Sequence, residues 1–512
     1  MANAIQVPRS HLILGLSLPL AVLVGYFLAE PMELGSAAVV LAVVGVLSVP
    51  LLMRWYHPVL IFLWNSAINP VVLPGRAGLW MVVTCIALLF AVLNRAVNPK
   101  ARFIMVPAVT YPLLALGVLV VITAVLRGGA GFASLGSSQY GGSRYANLLM
   151  GIAGYFALTS RRIPPSRAGL YVGCFFLSGL TYAISDLAIL AGRQFYFLLY
   201  IFSTTYATDQ LKYLETFNPS IIRFRGTSVV ASAIYTYLLA RFGIRGILDV
   251  ARPWRGLIFL LAVAGGMGGG FRSYVALFGL TCIGVFYLEG LHRTRYLPAL
   301  LAVALVGGAL VLPQADKLPL AVQRGLVFLP GKFDSLARQS AKISIEWRVE
   351  MWKRVWPEVP KYLFLGKGYK LDPSELFLAQ YFSPRYHDAM DSGSQVAGDY
   401  HSGPLSVLVP FGIFGTLAFL WFLVAGTRTL YLYYKHGSPV YQTVNTLLLA
   451  AFAARAIFYF VGFGSLHTDM AFFTGLLGLG VALNGTPSAA AASSPSEQPD
   501  TGVELNTEYV KV

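Results

Sequence analysis

Ile104-Met-Val-Pro-Ala-Val-Thr-Tyr-Pro-Leu-Leu-Ala-Leu-Gly-Val-Leu-Val-Val-Ile-Thr-Ala-Val-Leu126 carries no charged side chain and stops against Arg127. A hydrocarbon layer ~30 Å thick is crossed by about 20 mostly apolar residues in a helix, and this stretch is long enough. Comparable runs follow one another from Leu12 to Leu483. Across the 512 residues, 56% are hydrophobic and only 12% charged, against roughly 25% charged in an ordinary globular domain. A soluble protein is excluded, and the expected fold class is an all-α polytopic membrane protein.

At this spacing about 14 transmembrane helices (12 to 14) are expected, near 12–29, 35–53, 58–74, 78–93, 104–126, 145–160, 168–190, 227–241, 256–271, 272–288, 296–312, 403–424, 441–461 and 466–484. With the amino terminus placed in the cytoplasm, the inner segments hold sixteen Lys and Arg, including Arg161, Arg162, Arg241, Arg245, Arg252, Arg255, Arg293 and Arg428, while the short outer loops hold four. That asymmetry follows the positive-inside rule and puts both termini in the cytoplasm. The expected organisation is a transmembrane bundle over 1–312 with a long outer loop at 191–226, a helical periplasmic cap at 313–402, C-terminal transmembrane helices at 403–484 and a disordered cytoplasmic tail at 485–512. The cap holds 12 Lys/Arg and 10 Asp/Glu, and an ordered outer segment of that length is usually functional. Cys85, Cys174 and Cys282 fall inside apolar runs, away from any charge that would favour a thiolate, and are read as packing residues.

Ionisable groups in mid-span would mark a translocation path; Asp186 and Arg455 are the two that stand out. The functional polarity gathers at the outer membrane face instead. Arg223 and Arg225 lie in Asn218-Pro-Ser-Ile-Ile-Arg-Phe-Arg-Gly-Thr227, where the first long outer loop enters a span, and Arg272 follows Gly265-Gly-Met-Gly-Gly-Gly270 at the tip of a short hairpin. Glycines permit close approach of backbone and ligand, helix starts offer free N–H groups to anions, and guanidinium forks match phosphate oxygens bidentately. A diphosphate headgroup suits these positions; the blander reading is arginines that snorkel to lipid headgroups. Downstream, Asp399-Tyr-His401-Ser leads from the cap into Val409-Pro-Phe-Gly412-Ile-Phe-Gly415. A histidine can take a proton from an acceptor hydroxyl while a carboxylate holds its tautomer, and Gly412 and Gly415 are expected to let the following helix pack closely. His387, Asp388, Asp391, Asp399 and His401 could alternatively gather around a divalent metal, but their spacing matches no sharp metal signature. No metal and no cofactor are expected, and no nucleic-acid partner.

Four stretches, in order, resemble the O-antigen ligase and O-antigen polymerase superfamily of bacterial envelope enzymes. They are Phe217-Asn-Pro with Arg223-Phe-Arg-Gly-Thr227; Gly270-Phe-Arg272-Ser-Tyr; Arg348-x-x-x-Trp352 followed by Pro360 and Leu365-Gly-Lys-Gly368; and Asp399-Tyr-His401-Ser with Val409-Pro-Phe-Gly-Ile-Phe-Gly415. The resemblance covers roughly residues 200 to 425. Ser402 stands where the family usually has asparagine after the histidine, and Phe271 and Ser273 flank Arg272 where it usually has serine and glycine.

The resemblance implies a glycosyltransferase-C-like architecture in the bacterial inner membrane and a metal-independent, inverting transfer at the periplasmic face. A glycan on undecaprenyl diphosphate would pass to a sugar hydroxyl of a lipid- or glycan-linked acceptor, in lipopolysaccharide or another envelope polysaccharide, with membrane lipid around the site. Arg225 and Arg272 would hold the diphosphate, His401 would deprotonate the acceptor and Asp399 would orient it. Arg223 and Arg348 rank second, because Arg348 could equally pair with Glu346 or Glu350. Competing expectations are a transporter for bicarbonate or a lipid-linked sugar, built on Asp186 and Arg455, and a non-enzymatic assembly factor acting through the cap.

Overall fold

The computed structural model describes residues 55–97, 103–132, 141–202, 224–371 and 400–487, together with a few isolated positions. Two compact units are present, Met1–Val59 and Leu60–Val512; the described positions of the first are helical. In the second, the helices are α1 (Leu79–Val97), α2 (Pro107–Arg127), α3 (Gly142–Leu158), α4 (Ala168–Leu177), α5 (Tyr182–Ala191), α6 (Arg225–Ile247), α7 (Pro253–Met267), α8 (Arg272–Leu288), α9 (Tyr296–Val311), α10 (Leu320–Leu326), α11 (Ser335–Val355), α12 (Gly403–His436), α13 (Gln442–Val461) and α14 (Leu466–Asn484). Helices satisfy every backbone group within one segment, which hydrocarbon demands.

Among the described residues, eight helices are long and apolar enough to cross a membrane: Leu79–Ala96, Pro107–Arg127, Pro165–Ala191, Arg225–Ile247, Tyr296–Lys317, Gly403–His436, Pro439–Val461 and Leu466–Asn484. Each coincides with an expected span. The expected spans at 145–160, 256–271 and 272–288 are helical as well but shorter, as α3, α7 and α8. Those at 12–29 and 35–53 fall outside the described residues apart from isolated helical positions. The expected span at 58–74 is corrected: the helix there ends at residue 63, the N–H groups of Ala67, Asn69 and Val71 donate to Thr181, Ile201 and Tyr200 instead of within a helix, and Pro70 bars helix from resuming through Asn69. Of the 191–226 loop, residues 191–202 and 224–226 are described, with a 3-10 helix at Arg193–Tyr200 and α6 already begun at Arg225; residues 203–223 and the tail beyond 487 lie outside the described residues.

Polar groups inside the bundle fasten helices together. The Asp186 carboxylate in the middle of α5 accepts the Thr227 N–H at 2.9 Å and the Thr227 hydroxyl at 3.3 Å, capping α6 from a neighbouring helix, an arrangement that substitutes for a missing side-chain cap. Arg455 of α13 pairs with Asp469 of α14, which is 1% exposed. Asp469 is a third ionisable residue within the spans, beside the two singled out from the sequence. At the far end, Glu289 accepts the N–H groups of Ile244 at 2.9 Å and Arg245 at 3.0 Å, meeting donors exposed where α6 breaks at Gly243. Arg245 and the buried Arg255, whose guanidinium lies 4.0 Å from the Phe242 ring centroid, stand at that far end too.

α12 is broken. Gly412 has φ 65° and ψ −163°, and Pro410 lies just before it. The chain between α11 and α12 fills the gap. Lys367 N–H donates to the Val409 carbonyl at 2.7 Å, Gly368 N–H to Pro410 at 3.0 Å, and Ile413 N–H to Leu363 at 2.6 Å. Thus Leu365-Gly-Lys-Gly368 and Val409-Pro-Phe-Gly412, two of the stretches singled out from the sequence, are bonded to each other. Gly412 allows the close packing expected, against the backbone of Leu363 and Phe364, and is also the break in the helix. A Cβ on Gly366 would collide with the Pro410 carbonyl and one on Gly412 with the Phe364 carbonyl, and both glycines have positive φ. Gly412→Ala should therefore destabilise the protein by more than ~1 kcal/mol, the scale for alanine forced to positive φ, read as a lowered Tm of the detergent-solubilised chain; an unchanged Tm would contradict the break.

Candidate active site

The end of the bundle where α6, α8, α12 and α14 begin collects the candidate residues. α7 and α8 meet in the glycine hairpin, and Arg272 is the first residue of α8, whose start has no side-chain cap. The hairpin leans on the first turn of α6, where the Ser228 hydroxyl donates to the Gly266 carbonyl at 2.9 Å. Arg225, the first residue of α6, stands exposed one turn before that contact. From above, the buried Arg324 of α10 donates to the Gly270 carbonyl at 3.1 Å and to the Ser340 hydroxyl of α11 at 2.9 Å. One guanidinium thus ties the hairpin bearing Arg272 to the helix bearing Arg348.

α11 is amphipathic. Asp334 caps its start by accepting the Leu336 N–H at 2.7 Å. Met351 and Val355, one turn apart, bury into a cluster with Val359, Tyr400, Leu405 and Val409, against which Trp347 and Trp352 pack. Arg348 and Trp352 share the neighbouring ridge at i, i+4 spacing, and Trp352 Nε1 donates to the Tyr400 carbonyl at 2.9 Å. The spacing Arg348-x-x-x-Trp352 is thereby explained: the tryptophan anchors the residue before His401 and the arginine comes along on the same face.

His401 has φ 48°, a left-handed conformation that histidine adopts more readily than most residues but that still costs energy, and such strain clusters at functional sites. Its ring lies 4.6 Å from Trp347 with planes at 81°, and 5.2 Å from Phe463 with planes at 60°. Phe463, in the turn between α13 and α14, also lies 5.8 Å from the Arg348 guanidinium carbon. Burial, and then the Arg272 charge, push the half-buried Arg348 guanidinium below its ordinary pKa, so Arg272 and Arg348 are close enough to repel. Arg348 Nε is buried without a hydrogen-bond acceptor among the described residues.

The structure brings Arg348 and His401 together around Phe463, puts Arg348 within the influence of the Arg272 charge and sets Arg225 beside the hairpin. Arg223 and Asp399 lie outside the described residues, as do His387, Asp388 and Asp391 of the alternative metal cluster. The alternative partners of Arg348 are engaged elsewhere: Glu346 with Lys342 at 3.7 Å and Glu350 with Arg354 at 3.6 Å, both on the exposed face of α11. The half-buried Arg348 guanidinium, under the like charge of Arg272 and sharing the Phe463 ring with the His401 imidazole, is an electropositive point; an anion is the complementary ligand.

Residues 257–420 match the O-antigen ligase family. The matched stretch runs from α7 into α12 and contains Arg272, Arg348 and His401, while Arg225 and Phe463 fall outside it. It supports the O-antigen ligase and polymerase superfamily, hence a multi-pass membrane enzyme of glycan transfer. No curated protein matches the chain. Within the O-antigen ligase stretch, sequence reasoning passed over Trp347, Arg324 and Tyr400. Trp347 was legible as an aromatic beside Arg348; Arg324 looked like one of many cap cations. Phe463 gave no signal beyond its flanking glycines.

Trp352→Phe removes one hydrogen bond, worth about 1 kcal/mol, and keeps the packing. Amide exchange at residues 400–402 should become roughly fivefold faster, the equivalent of that energy; unchanged exchange would mean the bond does not hold this segment.

Proposed function

We propose that this protein is a periplasmic-face glycosyltransferase of the bacterial inner membrane. It moves a glycan from undecaprenyl diphosphate to an acceptor sugar hydroxyl, with inversion and without a metal, as an O-antigen ligase-like enzyme or a polysaccharide polymerase. The observation that carries this reading is the meeting of Arg348 and His401 around Phe463, with the Arg272 charge acting on Arg348, within or beside the stretch that matches O-antigen ligase.

The roles follow from charge. Arg272 and Arg348 take the diphosphate, which relieves their mutual repulsion; Arg225 adds a further cation at the start of α6, and Arg223, outside the described residues, is a candidate by its place in the sequence. The acceptor hydroxyl oxygen attacks the anomeric carbon, the bond from that carbon to the diphosphate oxygen breaks, and the bonding pair leaves on the diphosphate, where the guanidinium groups stabilise it. The hydroxyl proton passes to His401, with Asp399 as orienter. A single displacement inverts the anomeric centre. Arg348 moves up from the second rank because its alternative carboxylate partners are occupied by other cations.

Orientation is supported by the far end of the bundle, where Arg245 and Arg255 stand, as the positive-inside rule requires of the cytoplasmic side. The transporter reading loses its footholds: Asp186 is used in capping α6, and Arg455 is neutralised by Asp469.

His401→Ala should abolish glycan transfer in a strain lacking the native gene while the protein still inserts and folds; full transfer would remove the mechanism. Arg272→Ala should lower donor handling by tenfold or more, since a hydrogen bond to a charged group contributes ~1.5–3 kcal/mol, and Arg272→Lys should recover part of it. Equal activity of the alanine variant and the wild type would count against diphosphate binding. Long chains left on the lipid carrier after gene deletion identify a ligase, single repeats a polymerase.

A further inference from the structure

The turn between α13 and α14 is fastened more heavily than a four-residue connection of two spans requires. Gly462 and Phe463 N–H groups both donate to the Phe458 carbonyl, at 2.8 and 3.0 Å. Asp469, buried in α14, reaches back to accept the Ser465 N–H at 2.9 Å while pairing with Arg455 of α13. Leu466 N–H donates at 3.1 Å to the Ser406 hydroxyl of α12, which is itself 2.8 Å from the Tyr459 hydroxyl. An ion pair buried in the bundle is expensive to desolvate and is weak evidence of a purely stabilising role. What this turn presents is a single side chain. Phe463 is partly exposed and touches both the His401 ring, at 5.2 Å, and the Arg348 guanidinium, 5.8 Å from its centroid.

We infer that Phe463 is a positioning residue of the transfer step, and that the Arg455–Asp469 pair acts through it. The inference rests on the transferase reading above. An aromatic ring accepts a cation on its face and packs edge-on against another ring. Phe463 therefore fixes the separation between the group that holds the leaving diphosphate and the group that takes the acceptor proton. The arginines bind diphosphate whether or not that separation is correct. The proton transfer occurs only when it is, so an error in spacing falls on kcat and leaves donor KM nearly unchanged.

The test uses the full-length protein in lipid nanodiscs with a lipid-diphosphate glycan donor. Phe463→Ala and Phe463→Leu should lower kcat at least tenfold with donor KM within threefold of wild type, while Phe463→Tyr stays within threefold in both. Asp469→Asn should show the same split, and Asp469→Asn combined with Phe463→Leu should be no slower than Phe463→Leu alone, because a residue that acts through another is not additive with it. A second readout needs no turnover: carbethoxylation of His401 by diethyl pyrocarbonate, followed by peptide mass spectrometry, should be at least threefold faster in Phe463→Leu than in wild type or Phe463→Tyr. Wild-type kcat in the leucine variant, additive losses in the double variant, or unchanged His401 reactivity would each overturn the inference. Absence of transfer by the wild type would overturn the transferase reading instead, and the His401 reactivity would still decide whether Phe463 sets its surroundings.

Discussion

The structure depends on a helix that does not complete itself. At Gly412 the α12 backbone turns out of the helical region, freeing the carbonyls of Val409 and Pro410 and the N–H of Ile413. In an apolar surrounding such groups must find partners, and they find them in Leu363, Lys367 and Gly368. Those bonds stitch the chain between α11 and α12 to the bundle by its backbone, which leaves the side chains free for other work. Once the stitch is made, α11 lies across the start of α12 with its apolar ridge on Tyr400, Leu405 and Val409, and Arg348 comes beside His401.

The charges inside the bundle and those at its end behave differently. Asp186, Asp469 with Arg455, and Glu289 each meet backbone N–H groups or an opposite charge across a helix interface. They hold helices in register, although the Arg455 Nε, like the Arg348 Nε, is buried without an acceptor among the described residues. Arg348 has its Nε buried without an acceptor among the described residues and feels the like charge of Arg272. A protein interior tolerates such an arrangement at a site where a ligand of opposite charge completes it. What differs is the neighbouring charge, an opposite one for Arg455 and a like one for Arg348, and this favours the enzyme reading over the transporter reading.

Much of the fold was legible because membrane helices announce themselves. Eight expected spans coincide with long apolar helices, since burial in hydrocarbon requires length and apolarity together. The miss at 58–74 came from counting apolar residues across Asn69-Pro70, where composition stays hydrophobic but the backbone cannot stay helical. The close packing at Gly412 was legible, but the break in the helix was not: a glycine that permits close packing and one that also breaks a helix look alike in sequence, and only the positive φ reveals the second. Arg272, Arg348 and His401 stood out as cations and a histidine in places where such residues are scarce. Phe463 could not stand out in a chain with 33 phenylalanines.

The sequence by itself determined that the chain crosses a membrane many times as helices, which ends of those helices are basic, and which residue types are available for acid-base and anion chemistry. These follow from transfer energies and side-chain chemistry, which belong to each residue or each short segment alone. Only the tertiary structure decided that α11 presents Arg348 to His401, that Asp469 neutralises Arg455, and that a phenylalanine more than sixty positions downstream of the histidine lies between it and the arginine. Those are distances between segments far apart in the chain, set by a broken helix and the backbone groups it leaves to be satisfied, and no local property of the residues involved encodes them.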